Sequence, residues 1–284
     1  MRSVKSLIAA GAASLLSTVA FAADMPIAAP PPMAYAPPPV QDFGGWYLRG
    51  DVGMANSTGK LHTNLYDTLP AGTAFNQYGT GFDGGMIYGV GVGYQFNSWF
   101  RADITGEYRS KVSFNGTDFF TFPGTPPSSL GDTYHGGYSS WVGLVNVYAD
   151  LGTWWCLTPF IGAGVGAASI HTSAFSDNAT FPGGVGSSSY IADGATKTNL
   201  AWAVHAGVAY RVNQNFTVEL AYRYLDMGTA GQGQGHFFDG TPTGVSTFQF
   251  RDITSQDVKL GVRFNLPCCD VPPPPPAMPL IRKG

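Results

Sequence analysis

The chain has 284 residues, a formal net charge of −3, 14% aromatic residues and only 12% charged ones, with 38 glycines. A soluble domain usually carries about twice that charged fraction, and no basic surplus is available to hold nucleic acid. Helix-forming runs are missing beyond the first residues, and no stretch reaches the roughly 18 apolar residues of a membrane-spanning helix. These features exclude a helical membrane protein and point to an all-β chain.

Met1-Arg2-Ser3-Val4-Lys5 reads as a basic n-region, Leu7 to Phe21 as a short apolar run, and Ala20-Phe21-Ala22 as a small-x-small cleavage site. Residues 1–22 are therefore expected to be a signal peptide. Residues 23–42 follow as a Pro-rich spacer holding Pro30-Pro31-Pro32 and Pro37-Pro38-Pro39. Such a run lacks sheet donors and prefers extended polyproline geometry. A second Pro-rich segment, 267–284, closes the chain. Both spacers are expected in the periplasm. Cys156, Cys268 and Cys269 form an odd set in an exported chain, and no Cys-x-x-Cys supports a zinc or redox site.

Between the spacers, residues 43–266 divide into eight segments of alternating character. Gly45 to Ala55 puts Trp46, Leu48 and Val52 on one face and Tyr47, Arg49 and Asp51 on the other. Met86 to Phe96 alternates Tyr88, Val90, Val92 and Tyr94 with Gly89, Gly91 and Gly93. Trp99 to Val112 sets Phe100, Ala102, Ile104 and Tyr108 against Arg101, Asp103, Thr105, Glu107 and Arg109. Tyr138 to Leu151 sets Trp141, Val145, Val147 and Ala149 against Asn146, Tyr148 and Asp150. Pro159 to Ile170 alternates Ile161, Ala163, Val165 and Ala167 with glycines, and Asn199 to Val212 sets Leu200, Trp202, Val204 and Val208 against His205, Gly207 and Arg211. Phe216 to Leu225 opposes Val218, Leu220, Tyr222 and Tyr224 to Glu219, Ala221 and Arg223. The last, Asp257 to Leu266, is the clearest: Val258, Leu260, Val262, Phe264 and Leu266 against Asp257, Lys259, Gly261, Arg263 and Asn265.

Successive side chains of a strand point to opposite faces. The expected fold is an eight-stranded antiparallel up-and-down transmembrane β-barrel, its apolar faces in lipid and its charged faces lining a narrow interior. Closure removes the sheet edge, so every backbone donor finds a partner. Arg49, Arg101, Arg109, Arg211, Arg223, Lys259 and Arg263 then face Asp51, Asp103, Glu107, Asp150, Glu219 and Asp257 as an interior charge network, since unpaired buried charge is costly. A soluble lipocalin-like barrel would instead place apolar residues inside. The connections alternate short and long. The long stretches near 56–85, 113–137, 171–198 and 226–254 are expected as extracellular loops, with both termini in the periplasm.

Gly44-Gly45-Trp46-Tyr47-Leu48-Arg49-Gly50, Tyr88-Gly89-Val90-Gly91-Val92-Gly93-Tyr94, Val145-Asn146-Val147-Tyr148-Ala149-Asp150 and Glu219-Leu220-Ala221-Tyr222-Arg223-Tyr224 resemble the small outer-membrane barrel proteins of alphaproteobacteria, within the OmpA-like group. The resemblance implies a Gram-negative outer-membrane location, contact with lipid and lipopolysaccharide, and insertion by the barrel-assembly machinery. It also makes Lys259, Gly261, Phe264 and Leu266 resemble an assembly signal, set inside the chain because eighteen residues follow Leu266.

No Gly-x-Ser-x-Gly elbow, Walker loop or His-Glu-x-x-His occurs, and no nucleophile is singled out with its base, so no enzyme is expected. Gly162-Ala163-Gly164-Val165-Gly166 lacks the following helix and spacing of a dinucleotide loop. His62, His135, His171 and His236 fall one in or beside each long stretch. Imidazole is a common haem or metal ligand, and the resembled family includes haemin-binding proteins. Phe119, Phe120, Phe237 and Phe238 could stack on a porphyrin. The alternative is four solvated histidines and aromatic loop packing. The function expected is a non-enzymatic structural barrel of the envelope with surface-exposed loops; a small-solute porin and a haem- or metal-binding surface protein are the alternatives.

Overall fold

The computed structural model describes residues 44–67, 69–124, 128–181 and 187–266, the side chains of residues 65, 66 and 128 excepted. The expected signal peptide, both Pro-rich segments, Cys268 and Cys269 lie outside the described residues. The strands are β1 (Gly45–His62), β2 (Ala74–Phe82), β3 (Gly84–Gln95), β4 (Phe100–Phe122), β5 (Ser128–Asp150), β6 (Leu157–Thr172), β7 (Phe175–Thr180), β8 (Ser187–Ala192), β9 (Thr196–Arg211), β10 (Phe216–Gly231), β11 (Gln234–Phe237), β12 (Pro242–Val245) and β13 (Gln249–Asn265). One helical turn, α1 (Asn64–Asp67), separates β1 from β2.

Eight of these strands close a barrel. Antiparallel pairs run β1–β3, β3–β4, β4–β5, β5–β6, β6–β9, β9–β10 and β10–β13, and β13 returns to β1 from Tyr47↔Asn265 upward. At one end the connections are tight. Asn97 Oδ1 accepts the amides of Trp99 and Phe100, and Asn213 Oδ1 accepts those of Asn215 and Phe216. Short Asn side chains close turns this way because they imitate a backbone acceptor. The third tight turn places Trp155 and Cys156 at φ 50 and 66 between the paired Trp154 and Leu157. These positive angles belong to the twisted two-residue hairpin turn, here occupied by residues that rarely adopt them.

The outward apolar band has sharp limits. Trp46 to Met54, Phe216 to Tyr224 and Val258 to Leu266 each span about nine residues, the length a tilted membrane-crossing strand needs. Trp46, Trp99, Trp154 and Trp155 are exposed at the tight-turn end, and Trp141 and Trp202 mark the other limit beside Tyr108 and Tyr224.

Past that second limit the structure departs from the expected loops. Most of the long stretches are paired strand. β4 and β5 continue together to Phe122↔Ser128, β2 adds to β4, and β7, β8, β11 and β12 add in turn to β5. The alternation fails to announce them because bulges interrupt it. β4 shifts register between Arg109 and Val112, β1 between Thr58 and Lys60, and β10 on either side of Gly228, whose φ is 78. One extra residue exchanges the two faces of a strand. On β4 the buried set passes from Arg101, Asp103, Thr105, Glu107 and Arg109 to Val112, Phe114, Asp118 and Phe120.

Candidate functional site

Two layers fill the interior. The layer within the apolar band is a charge belt of Arg49, Arg101, Arg109, Arg223, Lys259 and Arg263 with Asp51, Asp103, Glu107, Asp150, Glu219 and Asp257, all buried. Six cations meet six anions. The inward parity of five strands delivers them, while inward glycines leave room. A Cβ at Gly93 would collide with the Tyr47 ring, and one at Gly162 with that of Tyr148.

The belt has two centres. In the first, Asp257 takes Arg109 at 2.8 and 2.9 Å and Arg223 at 2.9 and 2.6 Å, and also accepts from Ser255 Oγ. Glu107 takes the other side of Arg223 at 2.9 and 2.6 Å, with Lys259 Nζ at 3.2 Å. These are forked, charge-assisted contacts, the strong kind. In the second, Arg49 donates to Asp51 and Asp103, and Asp103 also receives Tyr47 Oη and Asn146 Nδ2. Glu219 stands among Arg49, Arg101 and Arg263 at 3.7, 3.3 and 3.2 Å. Its contacts with Arg101 and Arg263 are charge contacts without hydrogen-bond alignment. Arg101 lies over the rings of Tyr148 and Phe160 at 4.3 and 4.8 Å, an attraction between cation and ring face.

Arg211 does not join the belt. It is exposed at the tight-turn end of β9, beyond the last buried position of that strand, Ala209. Its parity points inward, but the barrel has ended there. Tyr47, Asn146, Tyr148 and His205 join instead, His205 Nε2 lying 3.2 Å from Asn146 Oδ1. Their inward parity was the available signal; their polarity alone did not mark them out.

Beyond the belt lies an aromatic and aliphatic plug. Phe114, Tyr134, Tyr138, Leu144, Ile170, Phe175, Leu225, Met227, Phe248, Phe250 and Ile253 form one buried cluster with Phe82 packed against it. Phe250 touches Phe82, Phe114 and Phe175 with ring centroids 5.1–6.4 Å apart. Most of these residues fall in the stretches expected as loops.

The four candidate haem or metal histidines are spread over the outer sheet and its margin. His62 is 3.6 Å from Asp67, His135 Nδ1 is 2.8 Å from Asn115, His171 Nδ1 is 2.9 Å from Thr196, and His236 sits opposite Ile191. Among the described residues no group of three or more His, Cys, Asp or Glu is placed to hold a metal. The expected convergence is not found because these segments are paired strands, which fix each histidine in its own register. Of the porphyrin-stacking candidates, Phe120 is buried against Phe75, while Phe119, Phe237 and Phe238 are exposed.

On β13, Lys259 is buried in the belt and Gly261 lies beneath Asp51. Phe264 is half-buried against Phe216, ring centroids 4.9 Å apart, and the Leu266 amide bonds to Trp46 O at 2.9 Å.

The sequence matches the family model described as outer membrane protein beta-barrel domain over residues 10–265. An uncharacterized protein of Brucella suis is 34% identical over 223 residues, 73% of this chain and 76% of its own length. A putative adhesin of Rickettsia felis is 26% identical over 282 residues, 92% of this chain and 98% of its own. Among solved structures, the outer membrane protein OprG of Pseudomonas aeruginosa aligns with 79% of this chain and 97% of its own at 14% identity and a TM-score of 0.41.

Proposed function

Because the chain belongs to the outer membrane protein β-barrel family, we propose that it is a non-catalytic, solute-tight barrel of the Gram-negative envelope that raises a rigid β-sheet above the outer membrane. One observation carries this reading: the interior is filled twice over, by the neutral belt and by the plug. The belt carboxylates are ion-paired to Arg or Lys, which leaves the belt itself without a free carboxylate base for general acid–base work. Short turns and both termini then face the periplasm, and β2, β7, β8, β11 and β12 face outward, as in barrels of this kind. Outer-membrane lipid and lipopolysaccharide surround the apolar band, and the assembly machinery reads the rim formed by Phe264 and Leu266.

Purified barrel in planar bilayers is expected to give no reproducible conductance steps. Steps that persist at high purity would establish the porin alternative. Protease added to intact cells is expected to nick the exposed 238–241 turn and spare the tight turns; cleavage restricted to the tight turns would reverse the orientation.

A second reading, adhesion, is favoured by Phe237 and Phe238, 44% and 85% exposed on the outer sheet. Large exposed aromatics beyond the lipid band suit a protein partner. Cells displaying Phe237→Ser with Phe238→Ser are expected to lose attachment to host surfaces at unchanged barrel levels; equal attachment removes the reading.

A further inference from the structure

Past the plug, three carboxyls gather on the buried face of the outer sheet. Asp118 of β4 and Asp132 of β5 are direct cross-strand partners, 0% and 6% exposed. Asp177 of β7 stands opposite Tyr134, two residues along β5 from Asp132. Like charges directly across a strand pair oppose pairing. Among the described residues, Tyr134 and Gln77 bring donors to the cluster, and Tyr134 is also a hydrogen-bond partner of Asp132. Tyr134 Oη donates to Asp118 Oδ2 at 2.8 Å, and Gln77 of β2 approaches the same oxygen at 3.4 Å. Tyr190 of β8 lies opposite Asp177, and Phe175 and Phe248 pack on Tyr134. His135 is on the exposed face, bonded to Asn115. Among the described residues no Lys or Arg is paired with Asp132 or Asp177.

A second observation identifies what the triad binds. Oδ1 of Asp132 and Oδ1 of Asp177 are buried without a hydrogen-bond partner among the described residues. A buried carboxylate oxygen with no donor is stabilised by taking a proton. Among the described residues no group of three or more His, Cys, Asp or Glu is placed to hold a metal.

We propose that Asp118, Asp132 and Asp177 form an acid-closed latch on the outer sheet, in which protonation of Asp132 and Asp177 draws β4, β5 and β7 together and deprotonation loosens them. Burial, then the charge of Asp118, pushes Asp132 up to about 6. Burial, then the charges of Asp132 and Asp118, pushes Asp177 up to about 7. Both folded values exceed the ordinary Asp range, so the folded sheet holds more protons than the unfolded chain. Its stability is therefore full in acid and declines as pH rises through 6 and 7.

Hydrogen exchange of the full chain in detergent micelles, corrected for intrinsic rates, reads the latch at about pH 5 and about pH 8.5. Amides of 131–135 and 175–180 are expected to open at least about threefold more readily at the higher pH, while those of 101–109 stay constant. Asp132→Asn with Asp177→Asn is expected to abolish the difference. Wild type without pH dependence, or a variant that keeps it, overturns the proposal. If the double variant does not assemble, infrared spectroscopy of the wild type decides. A protonated-carboxyl band that titrates between pH 5 and 8 supports the latch, and its absence at about pH 5 overturns it.

Discussion

The belt and the plug are built from the same strands, yet each is the inverse of the other. Within the apolar band, polar residues turn inward and apolar ones outward. Past Met54, Tyr108 and Val258 the outward positions become Asn56, Thr58, Lys60, Lys111 and Gln256, while Phe114, Phe175 and Phe250 turn inward. The solvent decides the sense. Lipid accepts Leu and Val and rejects charge, so charge collects inside and must neutralise itself there. Water accepts Asn, Thr and Lys, so the wall beyond lipid follows the rule of a soluble barrel. The bulges on β1, β4 and β10 sit near this boundary, and on β4 one exchanges which residues face inward. On β1 the outward Asn56, Thr58 and Lys60 keep the parity of Trp46 to Met54, so the solvent and not the bulge changes the residue type. The two arrangements weighed for the whole chain, lipid-facing and lipocalin-like, are each correct at a different height.

The layers should also fail differently. Arg223→Met is expected to have the largest effect, because it takes from Glu107 its forked partner and from Asp257 one of its two arginines inside lipid-surrounded wall. Breaking a buried ion pair from one side costs about 3–5 kcal/mol, and urea unfolding in lipid vesicles should show that loss, or no folded, heat-modifiable band at all. A near-neutral outcome would mean that water reaches the belt and that it is not a sealed layer.

Phe250→Ala is expected to come next. It opens a cavity among Phe82, Phe114 and Phe175 and leaves no charge exposed, at about 3 kcal/mol. Hydrogen exchange should then rise in β7 and the outer half of β5 and stay low at 101–109, while bilayers still show no conductance because the belt remains. Equal loosening of both layers would show that they unfold as one unit.

A smaller thermodynamic effect is expected at the lipid rim. Phe264→Asp with Leu266→Asp adds charge near the interface, at roughly 0–1 kcal/mol. If the assembly machinery reads these residues, outer-membrane levels should fall far more than that cost predicts, as immunoblots of membrane fractions would show. Wild-type levels would remove the recognition role and leave only packing on Phe216.

The smallest effect is expected at Arg211→Ala, under about 0.5 kcal/mol, because an exposed side chain leaves no buried partner behind. A loss like that of Arg223→Met in the same urea series would place Arg211 in the belt after all.

The sequence by itself determined the eight-stranded wall and the inward faces of the five strands that carry the belt, from Arg49 and Asp51 on β1 to Arg263 on β13, because lipid on one side forces strict alternation. It also led to all twelve belt charges, with the right neighbours within a strand, but it added Arg211 as a thirteenth, since parity carries no height and could not place that residue past the barrel rim. Only the tertiary structure decided which arginine meets which carboxylate, as with Arg223 between Glu107 and Asp257, 116 and 34 residues away. It alone revealed the plug and the outer sheet, because bulges at Ser110-Lys111 and Gly228 break the period that reading depends on, and Gly, Ser, Thr and Asn there resemble loop composition. The histidines follow the same logic: their spacing along the chain suggested a common site, and strand pairing, which fixes register before any ligand arrives, keeps them apart.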